Sequence, residues 1–244
     1  MRPDAEAKRA TLGTAEKIRY NCITSNDDIS PRMCGRSCNE ATMDMILYIH
    51  GKGGSAEECG RYRPLFPDCE VTGLDYRTFT PWETGREIRT AVEALKDEHE
   101  HIVLIANSIG AFFSMNAGID GLIRKACFIS PIVDMEKLIG DMMTWAKVTE
   151  AELEARGVIH TGFGEDLSWE YLSYVRRHPV EWNVPTEILY GAKDELTSLD
   201  TIRGFAKVHG AGLTVMENGE HWFHTEEQMR FLEDWLRAKL ARAS

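Results

Sequence analysis

The stretch from residue 101 to residue 111 constrains the fold most, because an apolar run leads directly into a serine enclosed by small residues. Residues 102–106 are typical of a buried strand, and Ser108 follows them, with Gly110 and Ala111 close behind. Strand and helix backbones nearly touch at a sharp strand-to-helix turn, so such a turn needs small neighbours. The same turn pushes the serine Oγ outward to where a substrate reaches it. Ser108 is therefore the first candidate for a nucleophile.

Beyond residue 43 the chain alternates apolar runs with helix-length amphipathic stretches, which indicates βαβ units and a parallel sheet. The pattern predicts strands over 45–49, 69–76, 102–106, 125–130, 186–190 and 213–216, and helices over 82–98, 109–117 and 225–241. The first residues are weakly patterned, with a short strand predicted over 18–24 and a loop over 25–42. A length of 244 residues fits a single domain, 1–244. We therefore predict an α/β fold with a mostly parallel central β-sheet flanked by helices.

One segment, 132–183, interrupts the alternation. It shows no clear strand and consists of helical-looking pieces rich in methionine and aromatic residues. Such pieces either pack over the sheet or form a small helical cap insertion over the carboxyl ends of the strands, where ligand sites lie. We predict the cap. Met142, Trp145 and Trp169 within it, together with Trp222, are the candidate substrate-binding residues.

Composition excludes several classes of protein. A net charge of −11 argues against nucleic-acid binding, and no apolar run approaches the roughly 20 residues of a membrane span. The amino terminus lacks the apolar core of a signal peptide, which favours a cytoplasmic protein. The six cysteines show no paired CxxC spacing, and the close pair Cys34 and Cys38 has no histidine beside it. We expect no metal, no cofactor, no nucleic acid and no membrane partner.

A serine hydroxyl becomes a useful nucleophile when a base takes its proton and an acid orients that base. Asp194 lies in the loop after the strand predicted at 186–190, and His221 follows the last predicted strand and a glycine-containing turn. The order is serine, acid, histidine. Asp134, which follows an earlier strand, and the neighbours Glu195 and Asp200 remain alternative acids.

Four short motifs at predicted strand ends carry a resemblance to a known family. They are the loop His50–Gly54, the elbow Ala106–Gly110, the turn Tyr190–Asp194 and the stretch Gly219–Phe223. From residue 45 onward the chain resembles the α/β-hydrolase family, and within it the carboxylesterase or serine-aminopeptidase-like branch of serine hydrolases. It departs from the family in having alanine where the elbow most often begins with glycine, and in lacking the usual opening pair of strands.

The resemblance implies the role of each residue. Ser108 would be the nucleophile, His221 the general base and Asp194 the orienting acid, and the backbone N–H groups of Ile109 and Lys52 would form the oxyanion hole. The other interpretations are that Ser108 caps the following helix and that His221 is a surface histidine.

The function expected from the resemblance is hydrolysis of an ester or thioester of a small, partly apolar acyl group through an acyl-enzyme, without metal or cofactor. The alternatives are an amide or peptide hydrolase of the serine-aminopeptidase-like type, and a non-catalytic ligand-binding protein on the same scaffold. The side chain of Lys52 either is solvated or attracts an anionic substrate, and His50 is expected to brace the oxyanion loop. The partner is a small-molecule substrate, and the sequence leaves monomer and homodimer open.

Overall fold

A computed structural model describes residues 45–240 of the chain. The strand predicted over 18–24, the loop over 25–42 and the pair Cys34 and Cys38 lie outside the described residues. Within residues 45–240, no helix is both long and apolar enough to cross a membrane.

The described residues form eight strands and seven α-helices, with two short 3₁₀ helices after the first strand. The strands are β1 Met45–Ile49, β2 Glu70–Leu74, β3 Ile102–Asn107, β4 Lys125–Ile129, β5 Val158–His160, β6 Asp166–Ser168, β7 Thr186–Gly191 and β8 Gly212–Met216. The helices are α1 Pro81–Lys96, α2 Ile109–Met115, α3 Met135–Ala146, α4 Glu150–Arg156, α5 Trp169–Arg177, α6 Leu199–His209 and α7 Glu226–Leu240. The 3₁₀ helices are η1 Ala56–Arg61 and η2 Arg63–Leu65.

Six parallel strands form the central sheet in the order β2-β1-β3-β4-β7-β8. The chain adds β2 on one side of β1 and then crosses back to add β3 on the other side, and the later strands follow beyond β3. The order in which strands are added therefore reverses between β1 and β3. In open parallel sheets the crevice at such a reversal, at the carboxyl ends of the strands, is where ligands bind. The sequence places the His50–Gly54 loop and Ser108 at the ends of these two strands.

Helices cover both faces of the sheet, which explains why its central strands are continuous apolar runs. Every residue of β1 is buried, because alternate side chains point into the two cores. On one face Leu47 and Leu104 pack with α1, α2 and α6. On the other face Tyr48 and Ile105 pack with η1 and α7, where Trp235 supplies the largest side chain of the helix.

The segment between β4 and β7, called here the inserted segment (132–183), departs from the sequence prediction. It contains helices α3, α4 and α5 but also an antiparallel hairpin of β5 and β6, so the prediction that it holds no strand was wrong. Each of these strands has three residues, and only the central ones, Ile159 and Leu167, are buried. A strand that buries a single side chain produces no detectable alternation. Helix α6 was also not predicted.

Gly110 provides a test of how tightly the fold is packed at the turn. A Cβ at this position would overlap the carbonyl oxygen of His50 and lie 2.8 Å from that of Ile49. We expect Gly110→Ala to lower the free energy of unfolding by about 1–3 kcal/mol, because the two backbones would have to separate. Urea-induced unfolding followed by circular dichroism measures the change.

Gly204, inside α6, is the matched control because a Cβ there meets nothing within 4 Å. Gly204→Ala should raise stability by about 0.5–1 kcal/mol through its helix propensity. Equal effects of the two substitutions would contradict the close backbone contact.

Candidate active site

Ser108 sits in the sharp turn between β3 and α2, with backbone angles φ 52° and ψ −122°. A residue other than glycine at positive φ is strained, and such strain persists only where the surroundings impose it. Here the Ser108 N–H donates to the carbonyl of Ile129 at 2.9 Å, and its own carbonyl accepts from the N–H of Ile132 at 3.1 Å. The end of β4 therefore holds the strained residue from both sides.

The hydroxyl of Ser108 faces an imidazole. Its Oγ lies 2.8 Å from Nε2 of His221, and Nδ1 of the same ring lies 2.7 Å from Oδ2 of Asp194. The serine side chain makes no capping hydrogen bond to α2, so the interpretation of Ser108 as a helix cap does not hold. A hydroxyl bonded to an imidazole that is itself oriented by a carboxylate is the arrangement that can activate a serine.

The carboxylate of Asp194 is completely buried, so its charge needs several donors. Besides the imidazole, the backbone N–H groups of Leu196 and Thr197 donate to Oδ1 at 2.8 and 3.1 Å. Hydrogen bonds to an ionised group are the strong ones, and these fix the carboxylate in position. The side chain of His221 is 20% exposed.

The loops that carry the acid and the histidine meet at a pair of glycines. A Cβ on Gly191 would lie 2.5 Å from the carbonyl carbon of Gly219. The N–H of Lys193 donates to the carbonyl of Gly219 at 2.8 Å, and the N–H of Ala192 donates to that of Met216 at 2.9 Å. Only glycine permits this approach, which brings two separate strand ends into one site.

The alternative acids have other roles or positions. Asp134 caps α3, since its Oδ1 accepts from the N–H of Lys137 at 2.9 Å. Glu195 and Asp200 are exposed, and Asp200 lies 3.7 Å from Arg203. The structure thus brings Asp194, and none of these three, to His221.

The loop after β1 passes directly beside the serine. A Cβ on Gly51 would lie 3.1 Å from Cβ of Ser108, so the backbone leading to Lys52 touches the turn. Ile109 is the first residue of α2, and its N–H has no acceptor within the helix. Lys52 and Ile109 both line the same cavity as Ser108, which is where oxyanion donors would have to be.

His50 and Tyr76 brace this loop from behind. The two rings stack at 4.1 Å, and the Tyr76 hydroxyl donates to the carbonyl of His50 at 2.9 Å. Nδ1 of His50 lies 2.7 Å from the carbonyl of Gly51, to which its N–H donates. Burial raises the pKa of Tyr76, so the phenol stays protonated and remains a donor. His50 therefore supports the loop rather than facing the cavity.

A cavity of about 840 Å³ opens beside Ser108 and is lined mostly by apolar side chains of the inserted segment. Of the four candidate substrate-binding residues, Met142 and Trp145 line it, and Trp169 and Trp222 do not. Trp169 packs against the core at the start of α5. Trp222 is 69% exposed and stacks on His224 at 4.8 Å. Adjacency to His221 in sequence therefore does not bring Trp222 into the cavity.

Other lining residues were not identified from the sequence. They include Phe79, Phe163, Glu165, Tyr171 and Leu196, which come from four separate loops or helices. No periodic pattern connects them, because each reaches the cavity only through the way its own element packs. Burial raises the pKa of Tyr171, whose hydroxyl has no hydrogen-bond partner among the described residues. Within residues 45–240, no group of three or more His, Cys, Asp or Glu side chains could hold a metal ion.

Comparisons with known proteins identify the fold. No protein-family model matches the sequence, and a search of curated protein sequences found no match. Among solved structures, the chain is similar to Est1E from Butyrivibrio proteoclasticus, with 18% identity, a TM-score of 0.62 and coverage of 82% of this chain and 89% of that one. Mouse alpha/beta hydrolase domain-containing protein 10 gives 16% identity, a TM-score of 0.63 and coverage of 83% and 92%.

A lipase-esterase related protein from Clostridium acetobutylicum is similar as well, with 14% identity, a TM-score of 0.56 and coverage of 80% and 93%. The protein has the α/β-hydrolase fold. The expected fold class is therefore confirmed. Ala106 stands where the family that the sequence resembles most often has glycine, and its methyl group is fully buried in the core beneath the elbow.

Tyr76 tests the bracing of the loop. Tyr76→Phe keeps the stacked ring but leaves the buried carbonyl of His50 without its donor. An unsatisfied buried acceptor costs about 1–3 kcal/mol, so we expect the free energy of unfolding to fall by that amount. Denaturant unfolding measures it, and a change of less than a few tenths of a kcal/mol would show that the bond does not stabilise the loop.

Proposed function

We propose that the protein is a serine hydrolase that cleaves a carboxylic ester or thioester through an acyl-enzyme on Ser108. The observation that carries the proposal is the hydrogen-bonded series from Ser108 through His221 to the buried carboxylate of Asp194, opening into an apolar cavity. The solved structures with the same fold include proteins described as esterases, which is consistent with this chemistry.

In the proposed mechanism, Nε2 of His221 takes the proton from Ser108 as Oγ attacks the acyl carbonyl. The backbone N–H groups of Ile109 and Lys52 stabilise the negative charge that develops on the carbonyl oxygen. The imidazolium then returns its proton to the leaving alcohol or thiol, and the acyl group stays on Oγ. Water, deprotonated by the same ring, releases the acid and restores the serine.

Asp194 does not exchange protons in this proposal. Its carboxylate accepts from Nδ1–H of His221 and so keeps Nε2 free to act as the base. It also stabilises the imidazolium that forms during attack. Complete burial strengthens both effects, because little water screens the charge.

The cavity favours substrates with an apolar acyl part. Its volume falls within the usual range of small-ligand pockets, and methionine, isoleucine, leucine and aromatic side chains dominate the lining. We propose that the inserted segment acts as the cap that encloses this acyl group and limits water in the site. Aliphatic esters of graded length, from acetate to octanoate, would define how much of the cavity is used.

A fluorophosphonate probe tests the proposed nucleophile, since such probes react with a serine activated by its base. We expect labelling of the wild type, loss of labelling in Ser108→Ala and strong reduction in His221→Ala. Ser173→Ala, on α5 and outside the cavity lining, is the matched control and should label like the wild type.

Labelling that persists in Ser108→Ala, or its absence from a folded wild type, would contradict the proposal. Matched p-nitrophenyl esters and anilides then separate ester from amide cleavage. Faster anilide hydrolysis would favour the peptidase-like alternative, and labelling without any turnover would favour a ligand-binding protein.

Asp194→Asn tests the orienting carboxylate. Asparagine replaces one of the two acceptor oxygens by an NH₂ donor. This donor would have to face either the imidazole N–H or the two backbone N–H groups, so the ring loses its fixed tautomer. We expect kcat for an ester to fall by roughly 10⁴-fold. Asp134→Asn is the control, because asparagine caps a helix as well as aspartate does. Steady-state kinetics of both variants decide the matter: a similar loss in each would refute the assignment.

A further inference from the structure

One charged contact crosses the mouth of the cavity. The ammonium of Lys52, on the loop after β1, pairs with the carboxylate of Glu165, in the turn between β5 and β6. Both residues line the cavity, and their side chains are 52% and 41% exposed. Among the described residues that form the lining, Lys52 alone carries a positive charge. The pair therefore joins the oxyanion loop to the inserted segment at the entrance.

The position of Lys52 places its charge near the reacting centre. The preceding residue, Gly51, lies against Cβ of Ser108, as its 3.1 Å approach shows. The ammonium is thus no farther than the length of one lysine side chain from the backbone that faces the serine. A substrate whose carbonyl is at Ser108 would lie in the same cavity as this charge.

Glu165 shows that a carboxylate fits on this ammonium. It comes from a short turn that includes Gly164 at φ 85°, and the Thr161 hydroxyl donates to its backbone carbonyl. Because the pair is exposed to solvent, it contributes little stability. A carboxylate brought by a ligand can therefore replace that of Glu165 at small cost, with the glutamate turning into solvent.

We propose that Lys52 forms a subsite for a carboxylate on the substrate, and that this carboxylate displaces Glu165 when the substrate binds. The inference rests on the proposed hydrolase function and specifies its substrate class: apolar esters that carry a carboxylate near the scissile bond, such as half-esters of short dicarboxylic acids. The net charge of −11 repels anions at long range, so the preference must come from this contact.

Binding without turnover tests the subsite directly. In a Ser108→Ala background, calorimetry would compare a mono-ester of glutaric acid with its neutral methyl diester, and the measured quantity is the ratio of their affinities. Adding Lys52→Gln should lower the preference for the carboxylate by up to about fivefold, the upper end of what one exposed charge pair contributes. Adding Glu165→Gln should raise it severalfold, because the competing carboxylate is gone. Added salt should reduce the preference for the carboxylate ligand.

Lys207→Gln and Glu170→Gln make the same charge changes at exposed positions outside the cavity lining, and both should leave the ratio unchanged. A second pair of ligands, with the carboxylate on the alcohol part instead, shows which side of the ester reaches Lys52. In proteins that keep Ser108, the ratio of kcat/KM for the mono-ester to kcat/KM for the diester should change in the same direction as the ratio of their affinities.

The two proposals fail in distinguishable ways. If Lys52→Gln matches the controls for both ligand pairs, the subsite is wrong, whatever the fluorophosphonate result. If the ratio shifts as expected but Ser108 is not labelled, the carboxylate site stands and the hydrolase function fails. A rise in preference in Lys52→Gln, or a fall in Glu165→Gln, would also overturn the subsite.

Discussion

The contact that the site depends on most is the one between the backbone after β1 and the turn after β3. Gly110 packs against the carbonyls of Ile49 and His50, and Gly51 packs against the side of Ser108. Because no side chain separates the two segments, the loop that carries Lys52 and the start of α2 at Ile109 lie beside the same serine. A larger residue at either glycine would move the loop and the serine apart, so the proposed oxyanion donors and the proposed nucleophile would no longer lie side by side.

The second constraint is the burial of a charge. The side chain of Asp194 has no exposed surface, and a buried carboxylate without donors would be strongly destabilising. Two of its donors are backbone groups in its own loop, whose positions follow from the turn after β7. The third is the imidazole of His221, brought from the end of β8 by the contact between Gly191 and Gly219. The same hydrogen bond therefore completes the set of donors to the carboxylate and orients the imidazole ring.

The sequence alone predicted those parts of the molecule in which a residue's environment is set by its neighbours in the chain. The central strands of the sheet appear as continuous apolar runs. Ser108 directly follows β3, whereas Asp194 and His221 lie in the loops that follow β7 and β8. The hairpin of β5 and β6 was missed because each strand buries one side chain. Trp222 shows the opposite error: it neighbours His221 in the chain, yet its side chain points away from the cavity and stacks on His224.

The inserted segment could not be predicted in detail because charges, as well as an apolar core, hold it together. The guanidinium of Arg176 on α5 pairs with Glu136 of α3 and makes two bonds to Glu150 of α4, which raises the pKa of the arginine and lowers that of Glu150. One planar guanidinium thus joins three helices, and nothing in the sequence pattern of these helices indicates that they share this contact. The hairpin lies outside this network. Among the ion pairs found in residues 45–240, the pair of Glu165 and Lys52 alone joins the hairpin to the loop after β1. The helices of the segment are therefore joined by a multidentate arginine, whereas the hairpin packs Ile159 and Leu167 into the core and meets the loop after β1 through one exposed ion pair. That pair is the contact that the proposed substrate carboxylate would replace.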